Sequence, residues 1–246
     1  MNNPLRNELP PISEIWVYLS GSPLLALVLT LSAYLLGLTL YERSQRNPLV
    51  NPVLIAVVLV CIGIGVIDMP YAQYFEGAQF VHFLLGTATV SLAIPIYKGF
   101  ASLKGRMGVL LLSLVAGGVT SVLTAVGVAR WLGVDESLVR GLVAKSVTAP
   151  IAMGIAERVQ ASPTLTAIFA VSTGILGAIL GRYVLDVLRV TQWWQRGFAL
   201  GVAAHGIGTS RAFSVHPEAG AYASLGMGLH GIVGAVVIPY AVAWWF

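Results

Sequence analysis

Charge is what this sequence has least of. Only 10% of its 246 residues are Asp, Glu, Lys or Arg, while 57% are hydrophobic. Soluble domains carry roughly 25% charged residues, so a soluble core of this length would lack a hydrated shell. Cysteine is almost missing, and the single Cys61 excludes an internal disulfide framework. Set among Val and Ile, Cys61 reads as an inert, buried small residue. Metal-ligand spacing is missing too: His82 and His230 have no second ligand nearby in sequence. No Walker, nucleophile-elbow or zinc-hydrolase motif occurs, so neither an enzyme, a cofactor nor a metal is expected. No basic stripe with interleaved aromatics occurs, which argues against nucleic acid. The net charge of +4 reports loop orientation instead. Residues 1–22 lack the basic and apolar regions of a signal peptide. They read as a polar N-terminal tail with a short interfacial helix around Ile15–Leu19.

What remains is built for lipid. A spanning helix needs about 20 mainly apolar residues. Eight segments come near this: Leu24–Tyr41, Pro52–Ile67, Phe80–Tyr97, Met107–Leu132, Leu138–Ile155, Leu165–Leu185, Phe198–Phe213 and Ala219–Phe246. Their runs are continuously apolar, whereas strands of a β-barrel alternate. The expectation is an all-α polytopic membrane protein with seven to eight membrane segments, one domain over 23–246. Three segments are irregular. Leu138–Ile155 holds Lys145 and Pro150, Phe198–Phe213 holds a polar run at His205, and Phe80–Tyr97 holds Thr87, Thr89, Ser91 and Pro95. Trp193-Trp194 and Trp244-Trp245 read as interface anchors. Gly117-Gly118, Gly174/Gly177/Gly181 and Gly226/Gly228/Gly231 read as sites of close helix packing.

The chain also resembles itself. Pro52–Ala56 matches Pro163–Ala167, Phe83–Ala88 matches Phe198–Ala203, and Gly117–Trp131 matches Gly231–Trp245, at collinear offsets of 111, 115 and 114. Two repeats follow, about 24–131 and 138–245. The acidic stretch Asp68–Glu76 corresponds to the basic stretch Arg182–Arg196, and opposite loop charge predicts inversion under the positive-inside rule. Inversion requires Leu138–Ile155 to be a broken or re-entrant element.

Two polar runs are candidates for chemistry. In Lys145–Pro150, Pro150 opens the backbone beside the Ser146 and Thr148 hydroxyls. Lys145 then serves either half of an anion site or snorkels to headgroups. In His205–Arg211, Gly206 and Gly208 let the backbone leave helical form. Thr209 and Ser210 offer hydroxyls, Arg211 a bidentate contact for a carboxylate, and His205 a hydrogen bond or a proton. The alternative is a polar loop between two spans. Thr87, Thr89 and Ser91 either line a substrate path or bond back to their own helix. No Asp or Glu lies deep in these segments, so a carboxylate-based sodium site is not expected.

At Lys145–Met153, Pro163–Ala167 and His205–Ala212, with Gly86–Val90 and Ala93–Tyr97, the chain resembles the LrgB/CidB family. The resemblance covers about Leu24 to Phe246. It departs at Ser210, where many relatives have Ala. It implies one of two roles. Bacterial members are described as holin- or antiholin-like modulators of murein hydrolase activity and lysis, acting with a smaller LrgA/CidA-type partner. The plant relative is a plastidial glycolate/glycerate translocator, and some bacterial systems are linked to pyruvate uptake. The resemblance and the polar runs together point first to a transporter of small hydroxy- or keto-carboxylates. A homodimer in the bacterial inner membrane is the expected assembly.

Overall fold

A computed structural model describes residues 23–91, 94, 97 and 105–245, apart from the side chains of residues 82, 85, 86, 88 and 89. The expected tail, 1–22, and most of the Ala93–Tyr97 motif lie outside the described residues. Every element among the described residues is a helix. The chain divides into two compact units, Met1–Val90 and Ser91–Phe246.

The first unit contains α1 (Pro23–Arg43), α2 (Pro52–Val66) and α3 (Tyr71–Ser91). Asn51 starts α2, its Oδ1 accepting from the amides of Val53 at 2.9 Å and Leu54 at 3.1 Å. The hydroxyls of Thr30 and Tyr74 join α1 to α3 at 2.8 Å. Two expectations change here. Glu76 lies inside α3 rather than in a loop, because the turn after α2 is complete by Pro70. Cys61 is exposed on α2 rather than buried, since a helix this apolar faces lipid on most of its surface.

The second unit contains α4 (Met107–Trp131), α5 (Glu136–Leu142), α6 (Ala149–Arg158), α7 (Pro163–Val187), α8 (Trp193–Val215) and α9 (Pro217–Trp245). Across the described chain α1, α4, α7 and α9 are long and apolar enough to cross a membrane, and α2 is a shorter apolar helix. Segment Leu138–Ile155 is not a span. It is two short helices joined by a turn over 143–148. Asp135 caps the first, its carboxylate accepting from the Ser137 amide and hydroxyl, which hold it below the usual carboxylate range. The turn brings Lys145 back to Ser121, midway along α4, and Ile151 and Val147 lie against Gly231 and Gly234 of α9.

Segment Phe198–Phe213 is not a span either. The backbone of α8 leaves helical geometry at His205, with φ 42° and ψ −130°. The helix folds back there. A side chain at Gly208 would meet the Leu200 carbonyl at 2.6 Å, and at the far end Trp193 stacks on His216 with ring centroids 4.9 Å apart. Neither contact is open to a straight helix, where eight residues span about 12 Å. Each arm of this hairpin is about 18 Å long or less at 1.5 Å per residue, well short of the roughly 30 Å of a bilayer core. Both irregular segments of the second unit are therefore hairpins that enter and leave at one end, the first from the end holding Trp131 and Trp245, the second from the end holding Met107 and Trp193.

Glycines on α7 make the second hairpin fit. Gly174, Gly177 and Gly181 face His205, Ala204 and Leu200 in turn, and a Cβ on any of them would fall 2.5–2.7 Å from those side chains. The expected close packing of this glycine stripe is found. The tryptophan pairs mark the two ends: Arg106 lies 4.8 Å over Trp194, and Arg130 lies 5.9 Å over Trp245.

The inversion of 24–131 onto 138–245 is not borne out. The offset of 114 pairs α4 with α9, and these helices run parallel. Arg106 reaches Tyr222, Gly118 faces His230, and Arg130 reaches the Trp245 carbonyl. Inversion would make them antiparallel. The opposed elements lie within the second unit instead, where hairpin and helix (136–187) are followed by an oppositely directed hairpin and helix (193–245). Loop charge alone could not reveal that a polar segment doubles back. Cysteine labelling in a Cys61→Ala background tests this. Cysteines at the exposed positions Glu157 and Gln195 should label from opposite sides of the membrane. Labelling of both from one side would overturn the two-hairpin arrangement.

Candidate functional site

The hairpin tips meet halfway along the long helices. On the first tip the Lys145 ammonium donates to the Ser121 hydroxyl at 2.9 Å and the Ser146 hydroxyl at 3.2 Å, and the two hydroxyls lie 2.6 Å apart. No carboxylate pairs with Lys145 among the described residues. Ser146 is buried, and Lys145 is half-buried. Thr148 takes the N-cap position of α6 in extended geometry, with Pro150 in the first turn, so the free amides of the α6 N-terminus open at the tip.

On the second tip His205 is 4% exposed. Its Nε2 lies 2.8 Å from the Ala170 carbonyl on α7, and a carbonyl only accepts, so Nε2 carries the hydrogen. The positive φ is a position that favours glycine, and a histidine there costs on the order of 1–3 kcal/mol. Strain of this kind persists where surrounding packing over-determines it, as the α7 glycines do here. The Thr209 hydroxyl donates to the His205 carbonyl at 2.7 Å and starts the returning arm. That arm, like α6, presents its N-terminus at the tip.

Two helix N-termini, an ammonium and an imidazole thus converge. Aligned backbone dipoles give each N-terminus a partial positive charge, and nothing negative among the described residues balances the set. A set of this kind has the chemistry to hold an anion.

A cavity of about 910 Å³ leads to it between α4, α7 and the outgoing arm of α8. Its walls include Leu110, Leu180 and Phe198, its scattered polar groups include Ser113, Thr173 and Gln195, and Lys145 stands at its inner end. The cavity follows α7 and α8 out to Val190 and Trp194, so it reaches the end from which the second hairpin enters.

The remaining candidates are distributed otherwise. The non-helical residue is His205 itself, while Gly206 and Gly208 lie in the returning arm. Gly208 allows the close approach of Leu200, and Gly206 faces Met227. Arg211 lies six residues along that arm and lines a separate cavity of about 350 Å³ with Arg182, Asp186 and Arg196. It therefore stands toward the base of the hairpin, away from Lys145 at the tip of the other. A folded-back arm reverses the direction in which a linear spacing would carry the side chain. Thr87 belongs to the first unit, where its hydroxyl donates to the Leu84 carbonyl at 2.8 Å. The side chains of Thr89 and His82 lie outside the described residues. Ser121 joins the site without any signal in the sequence beyond being one of two serines in an apolar helix. His230, 7% exposed in the middle of α9, also faces this centre. No group of three or more metal-binding side chains occurs among the described residues.

Comparison with known proteins fits this arrangement into a family. The LrgB-like family model matches residues 30–244. The uncharacterized protein YwbG of Bacillus subtilis (strain 168) is 32% identical over 89% of this chain and 97% of its own length. The antiholin-like protein LrgB of Bacillus cereus (strain B4264) is 29% identical, and the holin-like protein CidB of Staphylococcus epidermidis (strain ATCC 12228 / FDA PCI 1200) is 28% identical. Each of these two matches covers 89% of this chain and 95% of the relative. No solved structure matches the chain. An all-helical integral membrane chain, matched over nearly its whole length, belongs to the LrgB-like family.

Proposed function

We propose that this protein carries small hydroxy- or keto-carboxylates of the glycolate, glycerate or pyruvate class across a bacterial inner membrane. One observation carries the reading: Lys145 stands at the inner end of a cavity with hydroxyl partners and, among the described residues, no carboxylate. A cation at membrane depth is costly unless it is paired. A carboxylate entering the cavity would supply the missing charge, accept from Lys145, and lie among the amides of two helix N-termini. Ser121 and Ser146 would orient it. The hairpins supply opposed elements that a transporter needs around a fixed central site, whereas a passive pore needs neither a closed inner end nor a single buried cation.

A second reading is favoured by the relatives' names, holin-like CidB and antiholin-like LrgB. In it the protein modulates murein hydrolase activity and lysis with an LrgA/CidA-type partner. The two readings separate in proteoliposomes. Saturable uptake of labelled pyruvate or glycolate, with a trapped dye retained, is the expected result. Unsaturable flux together with dye leakage would favour the holin-like reading.

A further inference from the structure

His230, like His82, lacks a second ligand at metal spacing in the sequence and lies within the long apolar helix α9. Its ring faces Gly118 of α4, where an added Cβ would come 3.1 Å from Cε1. Ser121, which accepts from Lys145, lies one turn further along that helix. On its own helix, Met227 borders Gly206 of the second tip, while Gly231 and Gly234 border Ile151 and Val147 of the first. His230 is therefore held between both tips and beside the acceptor of Lys145. It is more than nine-tenths buried.

The two central histidines differ in one respect. His205 spends its Nε2 hydrogen on the Ala170 carbonyl, and that bond fixes its ring. His230 forms no hydrogen bond with any described side chain or backbone group. Its ring nitrogens border open space rather than packed protein, since the one enclosed side-chain polar atom without a partner among the described residues is Thr166 Oγ1, so a ligand entering that space can reach the ring. The titratable and charged groups that face it are Lys145 from the first hairpin and His205 from the second. Facing α4 contributes Gly118 and no ionisable side chain. Both of these titratable neighbours are basic, so the open space beside the ring favours an anionic acceptor.

We infer that His230 is a binding residue of the anion site, its imidazole donating to the same carboxylate that Lys145 holds. This rests on the carboxylate reading above and adds a residue to it. A ring with one nitrogen on the carboxylate is a better partner for that anion with both nitrogens protonated, so binding draws a proton onto His230 at pH values where the unliganded ring is neutral. His205 is a positioning residue that holds the second tip against α7.

The test measures equilibrium binding of labelled pyruvate, and separately glycolate, to the full chain in lipid nanodiscs between pH 5.5 and 8.5. In wild type, affinity should weaken with rising pH, by up to about tenfold per unit where one proton is linked to binding. His230→Ala should weaken binding at pH 6 by roughly 10- to 150-fold, the range for losing a hydrogen bond to a charged group. His230→Gln keeps a donor and loses the proton, so it should retain binding with a flat pH profile. His205→Gln should keep the slope. A His230→Gln protein that keeps the wild-type slope overturns the inference while leaving the carboxylate site in place, and so does a slope lost only in His205→Gln. Lys145→Ala separates the two layers. Wild-type binding that does not depend on Lys145, or no binding of either acid at any pH, removes the carboxylate reading and this inference with it.

Discussion

Lys145→Ala is expected to abolish carboxylate uptake while leaving a folded protein in the membrane. The ammonium is the one full positive charge at the inner end of the cavity, and its described partners are two neutral hydroxyls. Removing it leaves Ser121 and Ser146 bonded to each other at 2.6 Å, so the protein itself loses little. A bound carboxylate would lose its counter-charge in a water-poor site. Truncating one partner of a desolvated charge pair costs roughly 2–5 kcal/mol, which is about 30- to 5,000-fold in affinity. Lys145→Arg tests geometry, since a planar fork cannot replace a compact ammonium between two serines. The measurement is initial uptake of pyruvate or glycolate against concentration, at matched protein density in the vesicles. Uptake of Lys145→Ala within a factor of two of wild type would return this lysine to a membrane-anchoring role.

Gly201→Ala is expected to be among the most damaging single-methyl changes in the second unit. A Cβ at Gly201 would sit 2.0 Å from the Ala223 carbonyl oxygen, and the neighbouring Gly197 is equally close to the Ala219 carbonyl. Those atoms belong to the α9 backbone, so no side chain can turn aside. Ala219 and Ala223 are buried at 2% and 0% exposure, which leaves no slack behind them. Overpacking a dense interior costs about 1–3 kcal/mol where side chains can adjust. Here the hairpin arm must move off α9, so at least the upper end, about 3 kcal/mol, is expected. The control is Gly127→Ala on α4, where nothing lies within 4 Å. Thermal unfolding in detergent, followed by loss of monodisperse protein, should show a clear drop for Gly201→Ala and none for Gly127→Ala. Equal stability of the two would mean that the hairpin does not pack against α9 as described.

The resemblance to the LrgB/CidB family, drawn from Lys145–Met153 and His205–Ala212, agrees with the family match over residues 30–244. The same stretches proved to be the two turns of the second unit. That coincidence has a plain cause: a chain can leave helical form at membrane depth only where polar groups, Gly and Pro satisfy the opened backbone. Those same groups make a polar run visible in apolar surroundings. Arg211 was legible as a charge but not as a location, because its distance from Lys145 depends on how sharply the chain turns at His205.

Composition alone determined that this is a helical membrane protein, because too few charges exist to clothe a soluble core and continuous apolar runs satisfy their backbone only as helices. It also marked both breaks, Lys145–Pro150 and His205–Arg211. Only tertiary structure decided that each break is a hairpin tip, that α4 and α9 run parallel, and that Ser121 bonds Lys145 while Arg211 lies with Arg182, Asp186 and Arg196. Hydropathy is a property of short windows along the chain. Direction of travel and the meeting of two tips depend on contacts between residues 24 to more than 100 positions apart, and no local spacing encodes them.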